Sequence, residues 1–222
     1  SQTVVKATFP VFAQLQNDMD RFRAGFYRAT GLVALFAFPL MMGIAVLAEE
    51  LLPVVFGPKW ALASQLVPIA CVPALLLSVT TLAGTVLLAT GRADLLLRIS
   101  LLSLATTALF LWSTRTESAS LAMAALAVAM MISSLISLVA ASRAIGAEWK
   151  RYAAAVAVPA ACSVAMAALI YLAKGAVQDA SPTARLIGFS VTGAAFYVSV
   201  IWLVKRSVVE DAISLVLRRP AA

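Results

Sequence analysis

Apolar residues gather in six long blocks, at about 31–48, 62–89, 95–112, 119–141, 152–173 and 186–204, with short polar segments between them. A hydrocarbon core ~30 Å thick is crossed by about 20 helical residues, so each block is long enough for one transmembrane helix. Only Arg98 falls inside a block, near its end, where a long side chain can snorkel to the interface. Ahead of the first block, Phe12, Leu15, Met19, Phe22 and Phe26 recur at alternating three and four, the period of a helix with one apolar stripe. Gln16, Asp18, Asp20, Arg21 and Arg23 fill the remaining surface, which predicts an amphipathic helix within 1–30. Its stripe has two candidate occupants: the cytoplasmic membrane interface, or another part of the same protein. Residues 205–222 repeat the idea as a cytoplasmic amphipathic tail. Ser207 and Glu210 have capping-box spacing, Ala212, Ile213 and Val216 share a face, and Arg218 and Arg219 close it. The expected fold is all-α, a six-helix membrane bundle over 31–204 flanked by interfacial helices.

Composition agrees. The nine residue types AVILMFWYC make up 63% of the chain and charged residues 12%, where soluble domains hold about 25% charged residues. There is no histidine, which removes His-based nucleophile activation, His-liganded metals and imidazole proton shuttles. Cys71 and Cys162 sit in apolar runs without metal-site spacing and read as buried small hydrophobes. The net charge of +7 changes meaning once it is mapped on the spans. An even number of spans puts both ends of the chain on one side, and thirteen of the seventeen basic residues fall there; Lys59, Arg115, Lys174 and Arg185 fall on the other. That asymmetry predicts cytoplasmic termini and accounts for the charge without nucleic acid.

The blocks carry internal marks. Pro39 lies in the first, Pro68 and Pro73 in the second, and Pro159 in the fifth; each interrupts a helical hydrogen-bond ladder that neighbours must complete. The fourth block has a small-residue ridge, Ala122, Ala125, Ala129, Ser133, Ser137 and Ala141, and the fifth has Ala157, Ala161, Ala165 and Ala168. Both ridges are expected to serve close helix packing. The segment from Glu49 to Trp60 predicts an interfacial turn anchored by Trp60, with Glu49 and Glu50 as solvated charges, and no acidic residue is expected within the spans.

The opening Phe9-Pro10-Val11-Phe12-Ala13-Gln14-Leu15-Gln16-Asn17-Asp18, then Phe38-Pro39-Leu40-Met41-Met42-Gly43, Phe56-Gly57-Pro58-Lys59-Trp60 and Gly91-Arg92-Ala93-Asp94 occur in a telling order. Over about residues 1–115 they resemble the Wzx-like oligosaccharide flippases of the polysaccharide transporter family, in the multidrug/oligosaccharidyl-lipid/polysaccharide superfamily. Beyond residue 115 the resemblance is one of hydrophobic layout. It implies a piece covering helices nine to fourteen of a fourteen-helix carrier, with the N-terminal bundle as its partner. It also implies a polyprenyl-diphosphate-linked oligosaccharide as cargo, moved across the bacterial inner membrane, and no enzyme activity. No catalytic residue, metal or cofactor is assigned.

Rival readings keep their place: a drug/cation antiporter of the same superfamily, a membrane enzyme of polysaccharide synthesis, or a non-transporting assembly subunit. An antiporter needs an intramembrane carboxylate; an enzyme needs a nucleophile or base near the boundary. On the second span Ser64, Cys71, Ser78, Thr81 and Thr85 form one polar stripe. Its hydroxyls either bond back to their own helix or face a sugar-conducting cavity. The candidate substrate contacts are Ser78, Thr81 and Thr85 on that stripe, and Arg92 and Arg98 at its cytoplasmic mouth. For Arg92, Arg98, Arg143, Lys150 and Arg151 the competing account is simple attraction to anionic lipid.

Overall fold

In a computed structural model, residues 18–115, 118–177 and 181–204 are described, and they form six long helices without a strand among them. The expected segments 1–17 and 205–222 lie outside the described residues. We number the helices α1 (Met19–Phe56), α2 (Val67–Ala89), α3 (Ala93–Ser113), α4 (Ala119–Ile145), α5 (Trp149–Ala176) and α6 (Pro182–Val204). All six are long and apolar enough to cross a membrane. This is a multi-pass membrane protein.

The first helix differs most from the sequence pattern. It runs unbroken for 38 residues, so the described part of the amphipathic segment, the first span and the start of the expected turn are one element. At ~1.5 Å per residue it is about 57 Å long, more than a bilayer core requires. Asp18 caps its start by accepting from the Arg21 amide at 3.1 Å. Phe22 and Phe26 are fully buried against Leu82, Val86, Leu87 and Tyr152, so this part of the stripe covers the same protein rather than lipid. The helix ends at Gly57, whose φ of 93° suits glycine, and two short 3-10 turns, Pro58–Trp60 and Leu62–Gln65, lead into α2. Trp60 is exposed in this turn, with its ring 5.7 Å from that of Phe56.

Helix α1 is central and packs against α2, α5 and α6, whereas α4 packs on α2 and α3 lies against α4 at the edge. The described helix ends form two groups. One, which we call the basic end, holds the start of α1, the α2–α3 and α4–α5 connections and the end of α6. The other holds the end of α1, the start of α2 and the α3–α4 and α5–α6 connections. At the basic end the α4–α5 connection is tied to α1. Arg23 Nε donates to the Ile145 carbonyl at 2.7 Å, satisfying an orphan carbonyl at the end of α4, and the Glu148 amide donates to Tyr27 Oη at 2.6 Å. Gly146, at φ 63°, lets the Ala147 amide return to the Ser142 carbonyl at 2.8 Å, closing α4 with a left-handed cap.

The prolines find partners of different kinds. Pro39 cannot donate to the Leu35 carbonyl, and Tyr197 Oη on α6 donates to that carbonyl at 2.8 Å. Pro159 likewise cannot donate to the Ala155 carbonyl, and Gly31 lets α1 approach it: a Cβ at Gly31 would lie 3.4 Å from that oxygen. Ala129 and Ala141 on the α4 ridge are fully buried. The α5 ridge is a correction: Ala157, Ala161, Ala165 and Ala168 are exposed, because α5 turns Tyr152, Cys162, Ser163, Met166 and Ile170 toward the bundle instead.

Candidate functional site

The α2 hydroxyls follow the back-bonded arrangement. Ser78 Oγ donates to the Leu75 carbonyl at 2.7 Å and Thr81 Oγ1 to the Leu77 carbonyl at 2.7 Å; Ser64 is not on this helix but in the 3-10 turn before it, where its Oγ donates to the Ala61 carbonyl at 2.6 Å. Such bonds relieve a hydroxyl in a membrane helix and leave only its lone pairs for a ligand. Thr85 is buried in the bundle, with no hydrogen-bond partner for its hydroxyl among the described residues. Ser78 and Thr81 are half-buried, and Arg92 and Arg98 are exposed at the basic end, Arg92 at the start of α3 and Arg98 within it. The five residues therefore do not share one environment. Single cysteines should report this: a small water-soluble thiol reagent is expected to label position 81 faster than position 78. Position 85 should label as slowly as positions 82 and 86, whose leucine and valine are fully buried. Fast labelling at 85 would mean that water reaches this part of α2.

A larger feature lies elsewhere. Between α1, α5 and α6 runs an apolar groove of about 810 Å³, lined by Leu40, Gly43 and Leu47 of α1, Ile170 of α5, and Phe189 and Tyr197 of α6 among others. It opens sideways past Phe36, Leu40 and Val198, which are exposed. The helices close in on its floor because residue 193 is glycine; a Cβ there would stand 2.7 Å from Ile170 Cδ1. At the end opposite the basic end, the groove walls include Leu51 and Leu186, each next in sequence to a charged residue.

Those charges form a cluster. Glu50 is buried at 4% exposure, and its Oε1 accepts from Arg185 Nη2 of α6 at 2.9 Å. Its Oε2 lies 2.8 Å from Lys174 Nζ of α5, without hydrogen-bond geometry. Lys174 Nζ also donates to the Val46 carbonyl at 2.8 Å and stands 3.6 Å from the exposed Glu49. Three helices thus meet at one carboxylate. The solvated reading holds for Glu49 and fails for Glu50, which is buried where α1, continuing past it to Phe56, meets α5 and α6. Ending the first span at residue 48 hid this. The available signal was that Glu50, Lys174 and Arg185 all border spans at the same end of the bundle.

Comparison with known proteins adds a lineage to this geometry. Residues 1–65 match the polysaccharide biosynthesis protein family. The chain is also similar over 92 residues to the lipopolysaccharide biosynthesis protein WzxC of Escherichia coli K12, at 34% identity, and to the teichuronic acid biosynthesis protein TuaB of Bacillus subtilis 168, at 35%. A membrane protein in the cps region of Klebsiella pneumoniae is 24% identical over 98 residues. The first two matches cover 41% of this chain and 19% of each relative, so the matched stretch spans about a fifth of their length. No solved structure matches. The resemblance carried by the opening motifs is thereby shown over part of the chain, and the relatives are polysaccharide biosynthesis proteins.

Proposed function

We propose that this chain is part of a membrane carrier that passes a lipid-linked oligosaccharide, its sugars on a polyprenyl diphosphate, across the bacterial inner membrane. The observation that carries the proposal is the similarity to WzxC and TuaB on a chain whose described part is a six-helix membrane bundle. A hydrated sugar and a diphosphate cannot enter hydrocarbon unaided, and two helical bundles rocking about a shared cavity would solve that problem without covalent chemistry. The N-terminal bundle of the same carrier is the partner this reading requires. Of the five candidate substrate contacts, Ser78 and Thr81 are proposed toward sugar and Arg92 and Arg98 toward diphosphate, while Thr85, buried in the bundle, is not kept among them.

Orientation follows from charge. The basic end, with Arg21, Arg23, Arg28, Arg92, Arg98, Arg143, Lys150 and Arg151, is placed in the cytoplasm, and the Glu50 cluster at the outer face. Tags inserted within 142–151 should be protected in intact cells and residues 113–118 accessible from outside; the reverse pattern would overturn the orientation. Glu50 does not favour the antiporter reading, because two cations already hold the carboxylate that an exchanged ion would need. Transport itself is tested by reconstituting the whole protein in liposomes with a labelled polyprenyl-diphosphate oligosaccharide. Movement of the label between leaflets at unchanged mass is the expected result. A product of altered mass would make the protein an enzyme.

A further inference from the structure

We infer that the end of α1 beyond Pro39 is a hinged flap over the α1–α6 groove, latched shut by Glu50 on Lys174 and Arg185. The inference concerns how this bundle opens and does not depend on the cargo. Four observations lead to it. The first is the position of the cluster: Leu51 and Leu186, which wall one end of the groove, are next in sequence to Glu50 and Arg185, so the ion pair ties α1 to α6 beside that end.

The second is the cost. A buried ion group is commonly no better than well-packed apolar side chains of the same volume. Holding three helices together does not require one. The third is incomplete satisfaction. Glu50 Oε2 and Arg185 Nε are both buried without a hydrogen-bond partner among the described residues, so water reaching the cluster would complete bonds that the closed bundle leaves unmade.

The fourth is the flap itself. Pro39 and Pro53 interrupt α1 on either side of Glu50, each unable to donate to the carbonyl four residues earlier. Gly43 follows Pro39 by one turn, and a Cβ there would meet only Met166 Cε, at 4.0 Å. Between these interruptions the apolar contacts of Leu47, Ala48 and Leu52 resist opening weakly, since lipid tails replace them at little cost. The ions carry the closure. Releasing them lets the segment swing about Pro39–Gly43 and admits water to the groove from the Glu50 end.

The test uses the full chain in permeabilised membrane vesicles, so that reagent reaches both faces. Cys71 and Cys162 are replaced by alanine and one cysteine is placed at Ile170, which is buried in the groove wall one turn before Lys174. The probe is a small hydrophilic methanethiosulfonate. Glu50→Gln should speed labelling about tenfold or more, as expected when a buried carboxylate loses its charge beside two cations. Arg185→Gln, which keeps the Lys174 contact, should speed it by a smaller factor. Pro39→Ala, which stiffens the hinge, should slow labelling in the Glu50→Gln background. A cysteine at Ala129, buried on α4 away from the groove, should label at one unchanged slow rate throughout. Unchanged Ile170 labelling in both charge variants would make the cluster a fixed staple and overturn the proposal. Equal acceleration at positions 170 and 129 would show general loosening and overturn it too. If Glu50→Gln fails to insert, Arg185→Gln decides alone.

Discussion

Replacing Glu50 by leucine is expected to destabilise the bundle by about 3 kcal/mol, because it takes away the carboxylate that pairs Arg185 and leaves Lys174 only the exposed Glu49 as an ion partner. The effect should show as a large fall in thermal midpoint in detergent. Changing all three residues together, Glu50→Leu with Lys174→Met and Arg185→Leu, should recover most of the loss, since no charge is then left without a partner. Recovery would separate the cost of an orphaned ion from any need for the carboxylate itself. A single variant as stable as the original chain would mean that Glu50 is hydrated, against the burial that the structure gives it.

The next largest effect is expected from Ala129→Leu. Ala129 is fully buried on α4, where small side chains let the helix approach its neighbours closely. Three added carbons have nowhere to go, and overpacking of this kind costs about 1–3 kcal/mol. Ser133→Leu, at a half-buried position one turn on, should cost less. Its hydroxyl is bonded to the Ala129 carbonyl at 3.0 Å and is replaceable by the helix's own ladder. No loss in either variant would place the ridge against lipid.

The layout of six spans was legible because hydrocarbon thickness and helical rise leave little freedom: every apolar block became a helix. Their ends were harder to read. A run of apolar residues stops at a charge, but a helix stops where its backbone loses its bonds, so α1 continued through Glu49 and Glu50 to Gly57. Helical period revealed that Phe22 and Phe26 share a face and could not reveal what covers it, since a bundle core and an acyl boundary are equally apolar. The same limit explains the α5 alanines, where small size permits close packing without requiring it. The Glu50 cluster joins residues 124 and 135 positions apart in the chain, a pairing that no local pattern contains. For the α2 stripe, the spacing of hydroxyls was visible, and their bonds to the preceding turn were not.

The bond from Tyr197 to the Leu35 carbonyl has a further consequence. Pro39 frees the Leu35 carbonyl of its helical donor, and the Tyr197 phenol takes that place. Sliding α6 by one residue would carry the hydroxyl about 1.5 Å along the axis and about 100° around it, away from its acceptor. In lipid, where greasy surfaces glide past one another with little preference, such a keyed contact fixes the register of two helices. Pro39 and Tyr197 thus act as lock and key, one residue spelling out where on the first helix the last must stop.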